Sequence, residues 1–130
     1  MKIERFEDLR AWQEARVLAN LIYDAAGQGS FSRDFELRDQ ICAAAGSVMH
    51  NAAEGFDAGS DSEFIVFLKY ARRSASEIQS EIYLAMDRKY VNELTFKQIY
   101  EKATEVKKTI NALIAYLRKS KTNRRTAKQS

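Results

Sequence analysis

His50 and Glu54 stand four positions apart, a spacing that presents two side chains from one helix face to a single ion. His50 is the only histidine in the chain. Di-iron bundles use two Glu-x-x-His motifs plus further glutamates, and one histidine cannot supply that set. The pair therefore reads as a helix-surface histidine near a glutamate, with metal binding as the weaker alternative. Cys42 lies in an alanine-rich, apolar stretch, where a free cysteine is more often a packing residue than a nucleophile. Glu77 and Glu81 repeat the i, i+4 spacing of an acid–base pair, but Arg73 precedes Glu77 by four and offers the plainer reading of charged partners on a solvated face. No glycine-rich phosphate loop, nucleophile elbow or paired-histidine motif occurs. The sequence designates no catalytic residue, no metal site and no cofactor, and the expectation is a protein that is not an enzyme.

Two sets of basic residues suggest binding. Lys69, Arg72 and Arg73 are spaced to share one face of a helix, where three like charges repel unless an anion or acidic partner relieves them. A solvated face is the alternative. The second set is the C-terminal stretch. Of 21 basic residues, six (Arg118, Lys119, Lys121, Arg124, Arg125, Lys128) fall after residue 117 without an acid among them, which leaves 15 against 18 acidic residues before it. The body is thus net acidic, and the basic excess belongs to the tail. Such a segment attracts phosphate through counterion release, with strong salt dependence. A solubilising, disordered terminus is the equal alternative, and no aromatic residue interleaves with it to stack on bases.

The elements that must carry these residues are helices. From Asp8 to Ala26, apolar residues Ala11, Ala15, Leu18, Ile22 and Ala25 recur at spacings of four and three, while Trp12, Val17, Ala19 and Leu21 widen the apolar surface. So broad a surface predicts a central helix or one packed on a second subunit. GQGSFS turns the chain, with Ser32 as a candidate N-cap. From Arg33 to Gly55, Leu37, Ile41, Ala44, Val48 and Ala52 share a face, and the small residues of CAAAGS predict a close helix crossing. Ser60 and Glu63 form a capping-box pattern before a third helix from Asp61 to Arg88. Its apolar face is Phe64, Phe67, Leu68, Ala71, Ala75, Ile78, Ile82 and Ala85. Asn92 can cap a fourth helix, in which Ile99, Ala103, Val106, Ile110, Leu113 and Leu117 keep the seam period of packed bundles.

The fold class expected is all-α, an antiparallel up-down four-helix bundle over residues 1–118, followed by a basic, disordered tail over 119–130. The chain has no proline to interrupt long helices, and 45% hydrophobic with 30% charged residues suits a globular domain. One cysteine excludes an internal disulfide. No window approaches the ~18 apolar residues of a membrane span, and the N-terminus lacks the apolar core of a signal peptide. A cytoplasmic location, with no membrane partner, is expected.

Several segments resemble the small bacterial four-helix bundle proteins named after the intervening sequences of 23S ribosomal RNA genes. FEDLRAWQEA is similar to that family's Phe-x-x-Leu-x-x-Trp-x-x-Ala opening, and QICAAAGSVMHNAAEG to its most distinctive signature. SEFIVFLKYARRSASEIQSEI is similar to its third helix, and Tyr90 to the tyrosine before its last. The resemblance spans residues 6–118 and places Ser47, Asn51, Glu54 and Gly55 at signature positions, with structural roles expected for all four. Gly55 is expected just past the helix end, in the left-handed conformation that glycine adopts freely. The resemblance implies a left-handed bundle, assembly into a homopentamer, and a link to RNA or DNA. More distantly it extends to the accessory proteins of diversity-generating retroelements, which partner a reverse transcriptase and nucleic acid. This chain departs from the family at Cys42 and Ala43, where a basic pair is common, and at Arg73, where glycine is common.

Two functional readings follow. The first is a non-enzymatic oligomer that binds nucleic acid through Lys119, Lys121, Arg124, Arg125 and Lys128, supplemented by Lys69, Arg72 and Arg73. The second is a protein-interaction scaffold for a partner such as a polymerase or reverse transcriptase.

Overall fold

The computed structural model of the chain describes the backbone of residues 3–129 and the side chains of residues 3–120. Four helices account for nearly all of it: α1 (Arg10–Ala26), α2 (Phe35–Asp57), α3 (Asp61–Asp87) and α4 (Glu93–Gln129). Short 3-10 turns at Phe6–Asp8 and Phe31–Arg33 precede α1 and α2. Each helix packs on its neighbour in the chain, and α1 also packs on α4, so the four seams close a ring in the up-down order expected. The expected tail, residues 119–130, falls largely on side chains outside those described.

Burial follows the periodicity. Leu18, Ile22, Ile41, Val48, Leu68, Ile78, Ile82, Ile99, Val106 and Ile110 are all fully enclosed. Each such aliphatic side chain contributes about 1.5–3 kcal/mol of transfer free energy. In α4 the seam drifts late: Leu113 is only half-buried and Ile114 takes the core position beside Leu117. The surface of α1 is divided. Its core face is closed, whereas Val17 is 49% and Tyr23 56% exposed. No described helix is long and apolar enough to cross a membrane.

The connections show which local signals acted. Asn92 caps α4 as expected, its Oδ1 accepting from Thr95 N–H at 2.8 Å. Ser60 Oγ caps α3 by accepting from Glu63 N–H at 3.2 Å, and the Glu63 carboxylate meets the same hydroxyl at 3.4 Å. Ser32 does not cap α2. It lies inside the 3-10 turn, where its hydroxyl donates to Gly29 O at 2.6 Å, and Asp34 takes the cap by accepting from Leu37 N–H at 3.1 Å. The α3–α4 turn is a Schellman motif: Tyr90 N–H donates to Ala85 O at 2.8 Å and Lys89 N–H to Met86 O at 2.9 Å. Lys89 occupies the left-handed position with φ 62°.

Candidate nucleic-acid interface and the α2–α3 groove

The helix that carries the family-like signature is tied to α3 by hydroxyls. Asn51 Nδ2 donates back along α2 to Ser47 O at 2.8 Å and to Ser47 Oγ at 3.0 Å. Ser47 Oγ then meets Ser74 Oγ across the seam at 2.8 Å. The close crossing expected from the small residues is therefore present, and Ser74 is a member of it. Gly55 departs from expectation. It lies inside α2, buried, and is not among the residues with positive φ. A Cβ there would stand 2.8 Å from Phe64 Cδ1 and 2.9 Å from Phe67 Cβ, so glycine is required by the approach of α3 and not by a turn. Glu54 and His50 are both exposed. Among the described residues no group of three or more His, Cys, Asp and Glu side chains converges as metal ligands would.

Tyr90, the tyrosine before the last helix, donates its hydroxyl to Asp34 Oδ2 at 2.9 Å while its ring stacks on Phe31 at 5.4 Å. Asp34 thus serves two elements at once, capping α2 and anchoring the α3–α4 turn. Donation to that carboxylate, with burial adding to it, holds the phenol above its usual range.

The basic triplet does not stand as one bare cluster. Lys69 is exposed on α3. Arg72, half-buried, reaches across to α4, where Nη1 donates to Asn111 Oδ1 at 2.7 Å. Arg73 lays its guanidinium over Tyr70, 5.7 Å from the ring centroid. Sequence spacing showed that the three share a face but not that Arg72 and Arg73 each find a separate partner. The contact with Asn111 sets this part of α3 beside the C-terminal half of α4. Helical spacing from Asn111 puts Lys108 and Arg118 along the same stripe, leading to Lys119. Lys108, Arg118 and Lys119 are all exposed. The side chains of Lys121, Arg124, Arg125 and Lys128 lie outside those described.

Further along α3, the pairing expected between Arg73 and Glu77 is absent from the ion pairs of the described residues. The two glutamates instead line an open groove of about 610 Å³ between α2 and α3, together with Gln40, Ala43, Ala44, Ser47, Ser74 and Ser80. Glu81 Oε2 is the one side-chain oxygen or nitrogen among the described residues that is buried without a hydrogen-bond partner. Burial, and then the neighbouring Glu77 carboxylate, push the Glu81 carboxyl up to about 7. Cys42 lines a separate groove with Tyr23, Gly27, Arg38 and Asp39. Burial raises its thiol, partly offset by Arg38, so it is not an activated nucleophile.

Two polar core residues escaped the sequence reading although a signal was present. Glu14 sits on the apolar stripe, three after Ala11 and four before Leu18, and is only 7% exposed. It accepts from Arg10 Nε at 2.7 Å and from Thr109 Oγ1 at 2.6 Å, closing the α1–α4 seam. Gln79, between Ala75 and Ile82, donates to Thr104 Oγ1 at 2.8 Å and accepts from Lys107 Nζ at 3.1 Å. A polar residue on an apolar stripe needs partners from the facing helix.

The family model described as 23S rRNA-intervening sequence protein matches residues 7–112. Among solved structures, the chain is similar to a protein of unknown function from the S23 ribosomal protein family of Bacteroides thetaiotaomicron. The two are 21% identical, with a TM-score of 0.74, over 81% of this chain and 95% of that one. At that identity the likeness concerns the fold. No curated protein matches.

Proposed function

The chain belongs to the 23S rRNA-intervening sequence protein family, and we propose that it is a non-enzymatic, oligomeric bundle that binds RNA or DNA through basic residues of α3 and the end of α4. The observation that carries this reading is the Arg72–Asn111 hydrogen bond of 2.7 Å, because it joins the basic stretch of α3 to the helix that leads into the most basic part of the chain. Lys69, Arg73, Lys108, Arg118 and Lys119 then line adjoining helix surfaces, where phosphate contacts supply affinity without base specificity. In a homo-oligomer each weak patch is repeated, and avidity multiplies it.

The test is titration of labelled single- and double-stranded RNA and DNA at two salt concentrations. The proteins compared are the full chain, a chain ending at Arg118, and the double variant K69E/R73E. Removing residues 119–130 takes away five cations. If all five contact duplex phosphate, the slope of log affinity against log salt falls in magnitude by roughly 4.5. Unchanged affinity in both altered proteins overturns the proposal.

A second reading has its own observation. Val17 and Tyr23 are exposed on α1, and Val17 lines a groove of about 430 Å³ with Trp12 and Leu21, rimmed by Gln13, Arg16, Asn20 and Asp24. Such a face suits a protein partner such as a polymerase or a reverse transcriptase. Recovery of a stoichiometric foreign protein on an immobilised chain, unaffected by nuclease and lost in V17E, supports it. Recovery of nothing but the chain itself counts against it.

A further inference from the structure

Among the described residues, the α2–α3 groove is lined by two carboxylates and no cation to match them. Glu77 and Glu81 are one helical turn apart on α3, so their side chains are neighbours and their charges repel. The α2 wall facing them consists of Gln40, Ala43, Ala44 and Ser47, none of which is charged. On the same helix, Arg73 is drawn aside onto Tyr70. From the other flank of α3, Lys107 of α4 is taken by Gln79, and Lys102 is taken by Glu105 at 3.1 Å. Arg38 and Asp39 of α2 line the separate groove around Cys42. Helix α1 packs on α2 and α4 and contributes no seam to α3.

An ionised carboxylate oxygen buried without a donor or a counter-charge is costly, and the inexpensive remedy is a proton. We propose that the α2–α3 groove is a proton-binding site, in which Glu81 carries the proton and Glu77 beside it strengthens the hold. Protonated, Glu81 becomes a hydrogen-bond donor and the groove bears one negative charge. Ionised, the pair bears two. The groove therefore changes charge within the pH range in which an exposed glutamate stays fully ionised. This assignment stands independently of nucleic-acid binding.

Carboxyl-carbon NMR of the full chain, labelled at glutamate and assigned by comparison with E81Q, reads the titration directly. The expected midpoint for Glu81 is about 7, against the ordinary glutamate value near ~4.3. E77Q removes the neighbouring charge while keeping the side-chain shape, so the Glu81 midpoint falls but stays above the ordinary value, since burial remains. A Glu81 midpoint at the ordinary value in the unaltered chain overturns the proposal. An unmoved midpoint in E77Q overturns the part assigned to Glu77. His50, the single histidine, is followed by its own ring signals and is replaced in H50Q, which leaves the Glu81 titration unchanged if the assignment holds.

Discussion

At position 55 an added methyl group would meet two phenylalanines of α3, and the two contacts differ in kind. The Phe64 ring can swing aside, but Phe67 Cβ is fixed to its backbone, so the 2.9 Å contact can be relieved only by moving a helix. G55A is therefore expected to cost about 1–3 kcal/mol, as overpacking does. Gly46 supplies the contrast on the same helix, because a Cβ there meets only the His50 ring, at an ordinary 3.5 Å from Nε2 and 3.7 Å from Cδ2. G46A is expected to stabilise by about 0.5–1 kcal/mol, the usual gain when glycine leaves a helix interior. Urea unfolding of the two variants should give shifts of opposite sign; a loss of stability in both would show that α2 tolerates no added carbon. The sequence pointed to Gly55 as structural, but periodicity places a residue on a face without saying how near the facing helix comes.

The same scale fixes the pH dependence of stability. Glu81 is raised from 4.5 to about 7 in the folded chain. Between those values the folded protein keeps a proton that the unfolded chain releases. Stability is therefore highest, as far as this group is concerned, below about 4.5, and it falls as pH rises through the window and levels off above about 7. E81Q should remove that fall. Unfolding midpoints at pH 5 and pH 8, measured in the H50Q background, which lacks the single histidine, check it. An equal fall in E81Q and its parent would place the titrating group elsewhere.

Among the elements, the ends reveal most about how sequence becomes structure. Asn92 and Ser60 were legible as caps because each precedes its helix directly and the rule is local. Ser32 misled because a 3-10 turn intervenes, and the cap passed to Asp34, whose second oxygen is claimed by Tyr90 from a turn 56 positions away. No local rule contains that contact. The Schellman turn between α3 and α4 is local, yet it sets a lysine where glycine is favoured. K89G is expected to raise stability by about 0.5–1 kcal/mol, the relief of the left-handed strain being partly offset by glycine's greater unfolded freedom. Thermal unfolding decides it, and a lower midpoint would mean that the Lys89 side chain holds the turn by contacts of its own. Charge was the least legible property. The three cations on α3 were expected to repel one another and Arg73 to pair with Glu77; instead Arg72 is held by Asn111 of α4 and Arg73 by Tyr70 one turn earlier on its own helix, because polar and aromatic neighbours, from the same helix or a facing one, compete with i, i+4 charge partners.

For the whole molecule, the apolar periodicity of four segments carried the fold, since an up-down bundle is what short links between four such helices permit. What the bundle meets was not carried, because net charge reports a sum and binding depends on where exposed charges fall. The ring of seams has a consequence of another sort, in the order of assembly. Three seams join helices adjacent in the chain, and Ser47 and Ser74 of the α2–α3 seam lie 27 positions apart. The α1–α4 seam joins Glu14 to Thr109 across 95 positions, and loop-closure entropy grows with that separation. Kinetics should separate the two seams. S74A is expected to slow folding, whereas T109V, which removes the hydroxyl from Glu14, is expected mainly to speed unfolding. Chevron plots of both variants check this, and a slowed folding limb in T109V would put the closing seam in the folding nucleus. If the order holds, the bundle forms from the middle of the chain outward and begins to come apart where its first helix meets its last.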